Sequence, residues 1–133
     1  MKFIAKEDLI IRRSFSLPYA NTEIWCCELN SLSMHTDVAA DKFLKELPEM
    51  YRPSTPSVTF INLSETLVYK EFAELMVTRL IPLGRLKKIA FVGLTLMMRS
   101  YIASLFRKHD SLFAYGFFSD LEQAKVWLVS TGR

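Results

Sequence analysis

The chain has 133 residues, a length that suits one domain. Half of the residues are hydrophobic and 23% are charged, which excludes a disordered chain and predicts a real core. The net charge of +3 comes from scattered basic groups such as Arg85, Lys87 and Lys88, which we interpret as solvated element ends rather than a nucleic-acid-binding face. The sequence contains neither the ~18-residue apolar run of a membrane span nor the apolar run of a secretory signal. We therefore expect one cytoplasmic domain over residues 1–133, which is not an integral membrane protein.

The first part of the chain predicts two strands joined by a turn. Asp8 to Phe15 and Glu23 to Leu29 are short segments with apolar centres, as strands usually are. The segment between them, SLPYANT, is punctuated by Pro18 and Asn21, which favours a turn. So short a connection predicts an antiparallel hairpin.

Two adjacent cysteines, Cys26 and Cys27, lie within the second predicted strand. Successive side chains of a strand point to opposite faces, so a disulfide between these two would distort the strand. We expect two reduced, buried thiols, as is usual in a reducing compartment. A redox or metal-binding role stays open as the alternative.

A helix is predicted to follow the hairpin, with Thr36 or Asp37 as its N-cap. Pro48 predicts that the helix ends close to Leu47, because the residue before a proline is disfavoured in the helical conformation. The apolar side chains that recur at roughly helical spacing are Val38, Phe43, Leu44 and Leu47. We expect these four to lie on one buried face.

The middle of the chain predicts a buried strand, a polar turn and a second helix. The strand covers Ser57 to Leu63 and is apolar on both faces, as a central parallel strand should be. Ser64 is placed to cap the helix, and Glu65 is favourable in its first turn. The apolar stripe of this helix consists of Val68, Phe72, Leu75, Met76 and Leu80.

The last third of the chain predicts two more strands and two helices. The strands cover Lys88 to Val92 and Leu112 to Phe118, and a helix over Met97 to Phe106 connects them. Ser119 or Asp120 is placed to cap the final helix. The element order is then ββαβαβαβα, and right-handed crossovers make the later strands parallel. We predict an α/β fold, a mixed five-stranded sheet with four helices mainly on one face.

Two segments carry a resemblance to a known family. They are RLKKIAFVG, residues 85–93, and YGFFSDLEQAKVWL, residues 115–128. Together with the element order they resemble the SpoIIAA-like branch of the STAS domains, in which a basic run leads into a strand that ends in glycine and a last helix carries an Ala-x-x-Trp-Leu pattern. The resemblance implies a SpoIIAA-like fold and a non-catalytic regulatory or protein-interaction module.

The phosphorylation switch of the STAS family has no clear counterpart in this chain. In phosphorylated members the third strand ends in an acidic residue, and a serine in a following Asp-Ser-Ser-Gly-like turn is modified by a kinase. Asn62 stands at the acidic position, and residues 67–72, LVYKEF, contain neither serine nor glycine. If the alignment is allowed a gap, Ser64 or Thr66 would take the role. For Ser64, a structural cap, a binding surface and a phosphosite all stay open.

Two functions are weighed from these patterns. The first is a regulatory module that binds an unknown protein through the turn after the third strand and the helix that follows. Its expected contact residues are Ser64, Thr66, Tyr69 and Lys70. The second is a carrier or sensor of a small apolar, lipid-like ligand, in a pocket lined by Phe72, Met97 and Met98. Self-association as a homodimer also stays open, and we expect no catalytic residue, cofactor, metal site or nucleic-acid partner.

Overall fold

The computed structural model describes residues 14–32 and 36–130 of the chain. The strands are β1 (Phe15–Tyr19), β2 (Thr22–Glu28), β3 (Val58–Asn62), β4 (Lys88–Val92) and β5 (Ala114–Phe118). The helices are α1 (Thr36–Met50), α2 (Lys70–Leu80), α3 (Leu96–His109) and α4 (Leu121–Val129). None of these four helices is long and apolar enough to cross a membrane.

The five strands form one mixed sheet in the order β1-β2-β3-β4-β5. β1 and β2 pair in the antiparallel sense, and every other neighbouring pair is parallel. From β2 to β5 each connection moves one position in the same direction, so crossovers of one hand bring α1, α2 and α3 to the same face. The predicted element order and sheet type are confirmed.

The face of the sheet under α1, α2 and α3 carries the larger core. Phe91 stacks on Phe117 with 5.7 Å between ring centroids, and Phe106 stacks on Tyr115 at 4.6 Å. The largest fully buried side chains on this face are Phe43, Phe72, Phe91, Phe106, Leu29, Leu32, Ile61, Leu63, Met76 and Leu80. Burying a side chain of this size stabilises the fold by about 1.5–3 kcal/mol, so this face dominates the hydrophobic contribution.

The opposite face is covered by α4, a helix of nine residues. Its buried cluster consists of Ile24, Cys26, Phe60, Ala90, Val92, Ala124 and Leu128. Ala90 and Ala124 are fully buried, and their small side chains allow α4 to lie close to β4. Trp127 packs beside this cluster against Phe118, with 5.5 Å between ring centroids.

The two cysteines lie as predicted on opposite faces of the sheet. Cys27 belongs to the core under α1–α3, and Cys26 to the cluster under α4. Both thiols are free and buried. Burial raises the pKa of each thiol to about 12, so both stay protonated and unreactive at neutral pH.

The first hairpin differs from its prediction. Most of the predicted strand, Asp8 to Phe15, lies outside the described residues, and the segment from Ser16 to Tyr19, predicted as a turn, is β1 itself. The turn is formed by Ala20 and Asn21, both in the left-handed region at φ 49° and 64°. A two-residue loop of this kind matches the twist of the flanking strands. Pro18 is accepted because β1 lies at the edge of the sheet.

Helix α1 also differs, because it continues through Pro48 to Met50. A proline in the last turn removes a single backbone hydrogen bond, and the burial of Met50, 2% exposed, offsets that loss. Leu44, predicted on the buried face, is 38% exposed, whereas Phe43 and Leu47 are buried. The side chains of Thr36 and Asp37, predicted to cap the helix, lie outside the described set.

The prediction that the basic residues at positions 85–88 are all solvated is wrong. Arg85 donates from Nη1 to the carbonyl oxygen of Pro56 at 2.8 Å and from Nη2 to that of Met50. Lys88 is 8% exposed and donates to the carbonyl oxygens of Trp127 and Ser130, both at 2.9 Å. These two cations therefore hold the chain together at the amino end of the parallel strands.

Candidate functional site at the carboxyl end of the parallel strands

The loops after β3, β4 and β5 emerge side by side at one end of the sheet. In an α/β sheet this is the end at which function usually resides. We call residues 63–69, 93–97 and 119–120 the carboxyl-end surface. It includes the predicted contact residues Ser64, Thr66 and Tyr69, and Lys70 follows it directly as the first residue of α2.

Ser64 is not a helix cap, which corrects that prediction. Helix α2 begins six residues later, at Lys70, and its N-cap residue is Tyr69, which makes no side-chain capping hydrogen bond. Glu65, expected in the first helical turn, lies in the left-handed region at φ 57°, where a helix cannot start. The backbone N–H of Ser64 donates to Oδ1 of Asn62 at 3.2 Å, and its carbonyl oxygen accepts from the N–H of Ser31 at 2.8 Å.

Gly93 lets the loops after β3 and β4 touch. Its φ of 92° lies in the region that favours glycine. A Cβ atom at this position would lie 2.7 Å from both Cα and the backbone nitrogen of Ser64. Because real Cβ atoms do not approach backbone so closely, only glycine fits without moving Ser64.

Thr66 has a structural task that the sequence does not reveal. Its hydroxyl accepts from the N–H of Leu32 at 3.0 Å and donates to the carbonyl oxygen of Leu29. The neighbouring Ser31 hydroxyl donates to Oε1 of Glu65 at 3.1 Å. These bonds join the loop after β2 to the loop after β3, so the hydroxyl of Thr66 is occupied rather than presented.

A buried polar pair supports the turn from below. Nδ2 of Asn62 donates to Oε2 of Glu28 at 3.1 Å, and both residues are 8% exposed. Lys42 donates to the carbonyl oxygen of Glu28 and forms an ion pair with Glu46 at 3.1 Å. Asn62, which the predicted resemblance places at an acidic position, therefore joins β2 to β3 through Glu28.

The loop after β4 is joined to the loop after β5 in the same way. Thr95 caps α3, its hydroxyl accepting from the N–H of Met98 at 3.2 Å. Arg99 donates from Nη2 to the hydroxyl of Ser119 at 2.9 Å and from Nε to the carbonyl oxygen of Leu94 at 3.2 Å. Asp120 caps α4 as predicted, with Oδ1 accepting from the N–H of Glu122 at 3.0 Å.

The predicted contact residues Tyr69 and Lys70 have different surroundings. The Tyr69 ring packs against the core, 6.1 Å from the ring of Phe72, whereas Lys70 is exposed with Nζ 5.6 Å from the ring centroid of Tyr101. The hydroxyl of Tyr101 donates to Oε2 of Glu74, and this hydrogen bond raises the pKa of Tyr101. Lys70 is thus available to a partner, and Tyr69 is largely a packing residue.

The predicted apolar pocket residues are not arranged around a common opening. Phe72 is 1% exposed in the core, Met97 is 83% exposed, and Met98 packs at the margin of the core. A cavity of about 730 Å³ lies at the opposite end of the sheet, beside Lys88, Leu112 and Leu128 rather than these three residues. Among the described residues, no group of three metal-binding side chains is present.

The surface does carry exposed apolar side chains. Leu67 is 52% exposed in the loop after β3, and Leu96 and Met97, in the first turn of α3, are 78% and 83% exposed. Sequence reasoning placed Met97 in a pocket and gave Leu67 no role. No local pattern separates Leu67 from the nearby apolar residue Phe72, which is buried.

No protein-family model, curated protein or solved structure matches the chain.

Proposed function

We propose that the protein is a non-catalytic regulatory module that binds another protein through its carboxyl-end surface. The observation that carries the proposal is the exposure of Leu67, in the loop after β3, and of Leu96 and Met97, in the first turn of α3, at this end. Large apolar side chains grouped on a surface and bordered by polar residues are typical of protein-binding sites. The resemblance to STAS domains favours the same type of function.

The rigidity of the surface adds support. Its loops are joined by the Ser64–Ser31, Thr66–Leu32 and Arg99–Ser119 hydrogen bonds and by the contact of Gly93 with Ser64. A surface that is ordered before binding loses little conformational entropy when a partner docks. The backbone that carries the exposed apolar side chains is therefore held in one arrangement.

Polar groups at the rim suit specificity rather than chemistry. The half-buried Ser64, the exposed Glu65 and the exposed Lys70 lie on either side of Leu67 along the chain. Charged groups at a rim steer association and discriminate between partners. Phosphate on Ser64 would lie next to Glu65, whose negative charge disfavours it, so this proposal needs no phosphorylation switch.

Affinity purification from the native cell, read by quantitative mass spectrometry, tests the proposal. The test variant is Leu96→Ser with Met97→Ser, and the matched control is Leu44→Ser on the outer side of α1. We expect at least one protein to be retained by wild type and control and reduced at least tenfold with the double variant. Equal recovery of all proteins by the three baits would contradict the proposal.

We do not extend the proposal to a small apolar ligand. Phe72 is enclosed by core neighbours such as Phe43, with 6.3 Å between ring centroids, and Met97 points to solvent. The observations on these residues favour a surface that a macromolecule covers.

A further inference from the structure

We infer that the free edge of β5 is a pairing site for a second copy of this chain, in which two β5 strands join in the antiparallel sense about Gly116. This surface shares only Asp120 with the carboxyl-end surface and does not depend on the function proposed for it.

The backbone geometry of β5 leaves hydrogen-bonding groups at the edge. Among the described residues β5 pairs with β4 alone. The N–H of Ala114 donates to Lys87 and the carbonyl oxygen of Phe118 accepts from Gly93, both at 3.0 Å. Because N–H and C=O direction alternates along a strand, the backbone groups of Tyr115 and Phe117 point away from β4.

The two edges of the sheet are not equally protected against pairing. On β1, Tyr19 pairs with Thr22, so the backbone nitrogen of the neighbouring residue, Pro18, points away from β2 to the free side of the strand. A proline nitrogen carries no hydrogen and cannot donate to another strand there. The sequence of β5, AYGFF, has no proline and no charged residue. Edges without proline, charge or a bulge are the ones that pair with another strand.

A two-fold axis at Gly116 satisfies the free groups. Tyr115 of one copy then lies opposite Phe117 of the other, and each such pair exchanges two backbone hydrogen bonds. Gly116 lies opposite itself at the closest backbone approach, where the absence of a side chain removes any clash. Because β5 is uncharged, identical strands meet without like-charge repulsion.

Exposed apolar groups flank the strand, as an interface of useful size requires. Leu112, just before β5, is 93% exposed, and Val126 on α4 is 58% exposed. Val126 shares an apolar groove with Trp127, whose ring lies beside Gly116 and Phe118 of β5. The groove therefore continues directly into the edge, and the axis brings the two α4 helices to the same face of the joined sheet.

Charge at the ends of the strand is complementary in this arrangement. The last turn of α3 is basic, with Arg107 and Lys108 exposed near the start of β5. Asp120, exposed, follows the end of β5. Antiparallel pairing places the start of one β5 beside the end of the other, so the basic turn of each copy lies at the same end as Asp120 of its partner.

Sedimentation and amide exchange together test the inference on the full chain. Sedimentation equilibrium between about 5 and 200 µM is expected to give up to twice the 15.4 kDa chain mass for wild type. The double variant Leu112→Glu with Val126→Glu is expected to stay at the monomer mass. The matched control, Leu96→Glu with Met97→Glu at the other end of the sheet, is expected to dimerise as wild type does.

Amide hydrogen exchange measured by NMR over the same range identifies the strand. The Tyr115 and Phe117 amides are expected to exchange at least tenfold more slowly at the higher concentration, whereas those of Ala114 and Gly116 change little. A monomer at 200 µM overturns the inference. A dimer in which the Tyr115 and Phe117 amides exchange equally fast at both concentrations also overturns it. So does a dimer that the Leu96→Glu, Met97→Glu control variant no longer forms.

Discussion

The two ends of the parallel strands use their polar residues differently. At the amino end, Arg85 and Lys88 direct their charges inward onto backbone carbonyl oxygens of residues 50, 56, 127 and 130. At the carboxyl end, hydroxyl and amide groups together with the Arg99 guanidinium fix the loops, while Leu67, Leu96 and Met97 face solvent. The comparison teaches that two buried or half-buried cations fasten the amino end, whereas the carboxyl end is fastened mainly by uncharged polar groups and leaves three large apolar side chains exposed.

The largest effect on stability is expected from Gly93→Ala at the carboxyl end. Its Cβ would lie 2.7 Å from the Ser64 backbone, at a φ of 92°. Strain and displacement of Ser64 together should cost about 3 kcal/mol of unfolding free energy. Urea unfolding followed by circular dichroism measures this loss of unfolding free energy. Gly84→Ala, with no heavy atom within 4 Å, is the control and should shift stability by less than about 1 kcal/mol. Similar losses in both variants would mean that the two loops are not in close contact.

A smaller loss is expected from Lys88→Met at the amino end. The change keeps the apolar stem but removes the lysine donor to the carbonyl oxygens of Trp127 and Ser130, of which the first still accepts from Ser130. We expect a loss of about 2 kcal/mol in the same urea experiment. Lys87→Met, at the adjacent exposed position, should stay within about 0.5 kcal/mol of wild type. If Lys87→Met were the more damaging change, the inward role of Lys88 would be wrong.

A still smaller loss of stability is expected from Thr66→Val at the carboxyl end. Valine has nearly the shape of threonine but cannot bond to Leu29 and Leu32. A loss of about 1–1.5 kcal/mol is expected, together with faster amide exchange at Leu32. Thr78→Val is the control, because the exposed Thr78 hydroxyl bonds only to carbonyl oxygens of its own helix. A stability loss at Thr66 without faster exchange at Leu32 would place the effect elsewhere.

In the middle of the sheet, between the two ends, the two buried cysteines should make the stability of the fold fall at alkaline pH. In the folded protein, burial raises the pKa of the Cys26 and Cys27 thiols from the ordinary value of 9.0 to about 12. A raised folded pKa means that stability is retained below pH 9 and lost as pH rises toward 12. Each thiol then lowers the free energy of unfolding by about 1.4 kcal/mol per pH unit in that window. Urea midpoints at pH 8 and pH 10 measure the slope, and Cys26→Ala with Cys27→Ala should reduce it. An unchanged slope in that variant would show that the thiols titrate normally.

The sequence predicts most of the architecture and little of the site's inner construction. β4 has the predicted bounds, because KIAFV is an apolar run between polar segments. The start of α2 was missed because Ser64 and Glu65 have the composition of a helix cap. The bonds that hold them in a turn come from Ser31 and Leu32, more than thirty residues earlier. Long-range bonds of this kind leave no local pattern in the sequence.

The same limit applies to the charges and the apolar residues. Nothing near Lys88 in the chain announces that the end of α4, about 40 residues later, will lie against it. The location of the candidate site, at the turn after β3, follows from the alternation of strands and helices. Which side chains it presents does not follow, because Leu67 and Phe72 are both apolar and only packing separates the exposed one from the buried one.

Photo-cross-linking in the native cell tests the difference between the two ends most directly. A benzophenone amino acid is placed at Met97 on the carboxyl-end surface, or at Tyr51, 49% exposed beyond the end of α1 at the amino end. We predict a cross-link to a different protein from position 97 that excess wild-type protein displaces and the Leu96→Ser, Met97→Ser variant does not. No such adduct is expected from position 51. The same adduct from both positions, or none from position 97, would contradict the account.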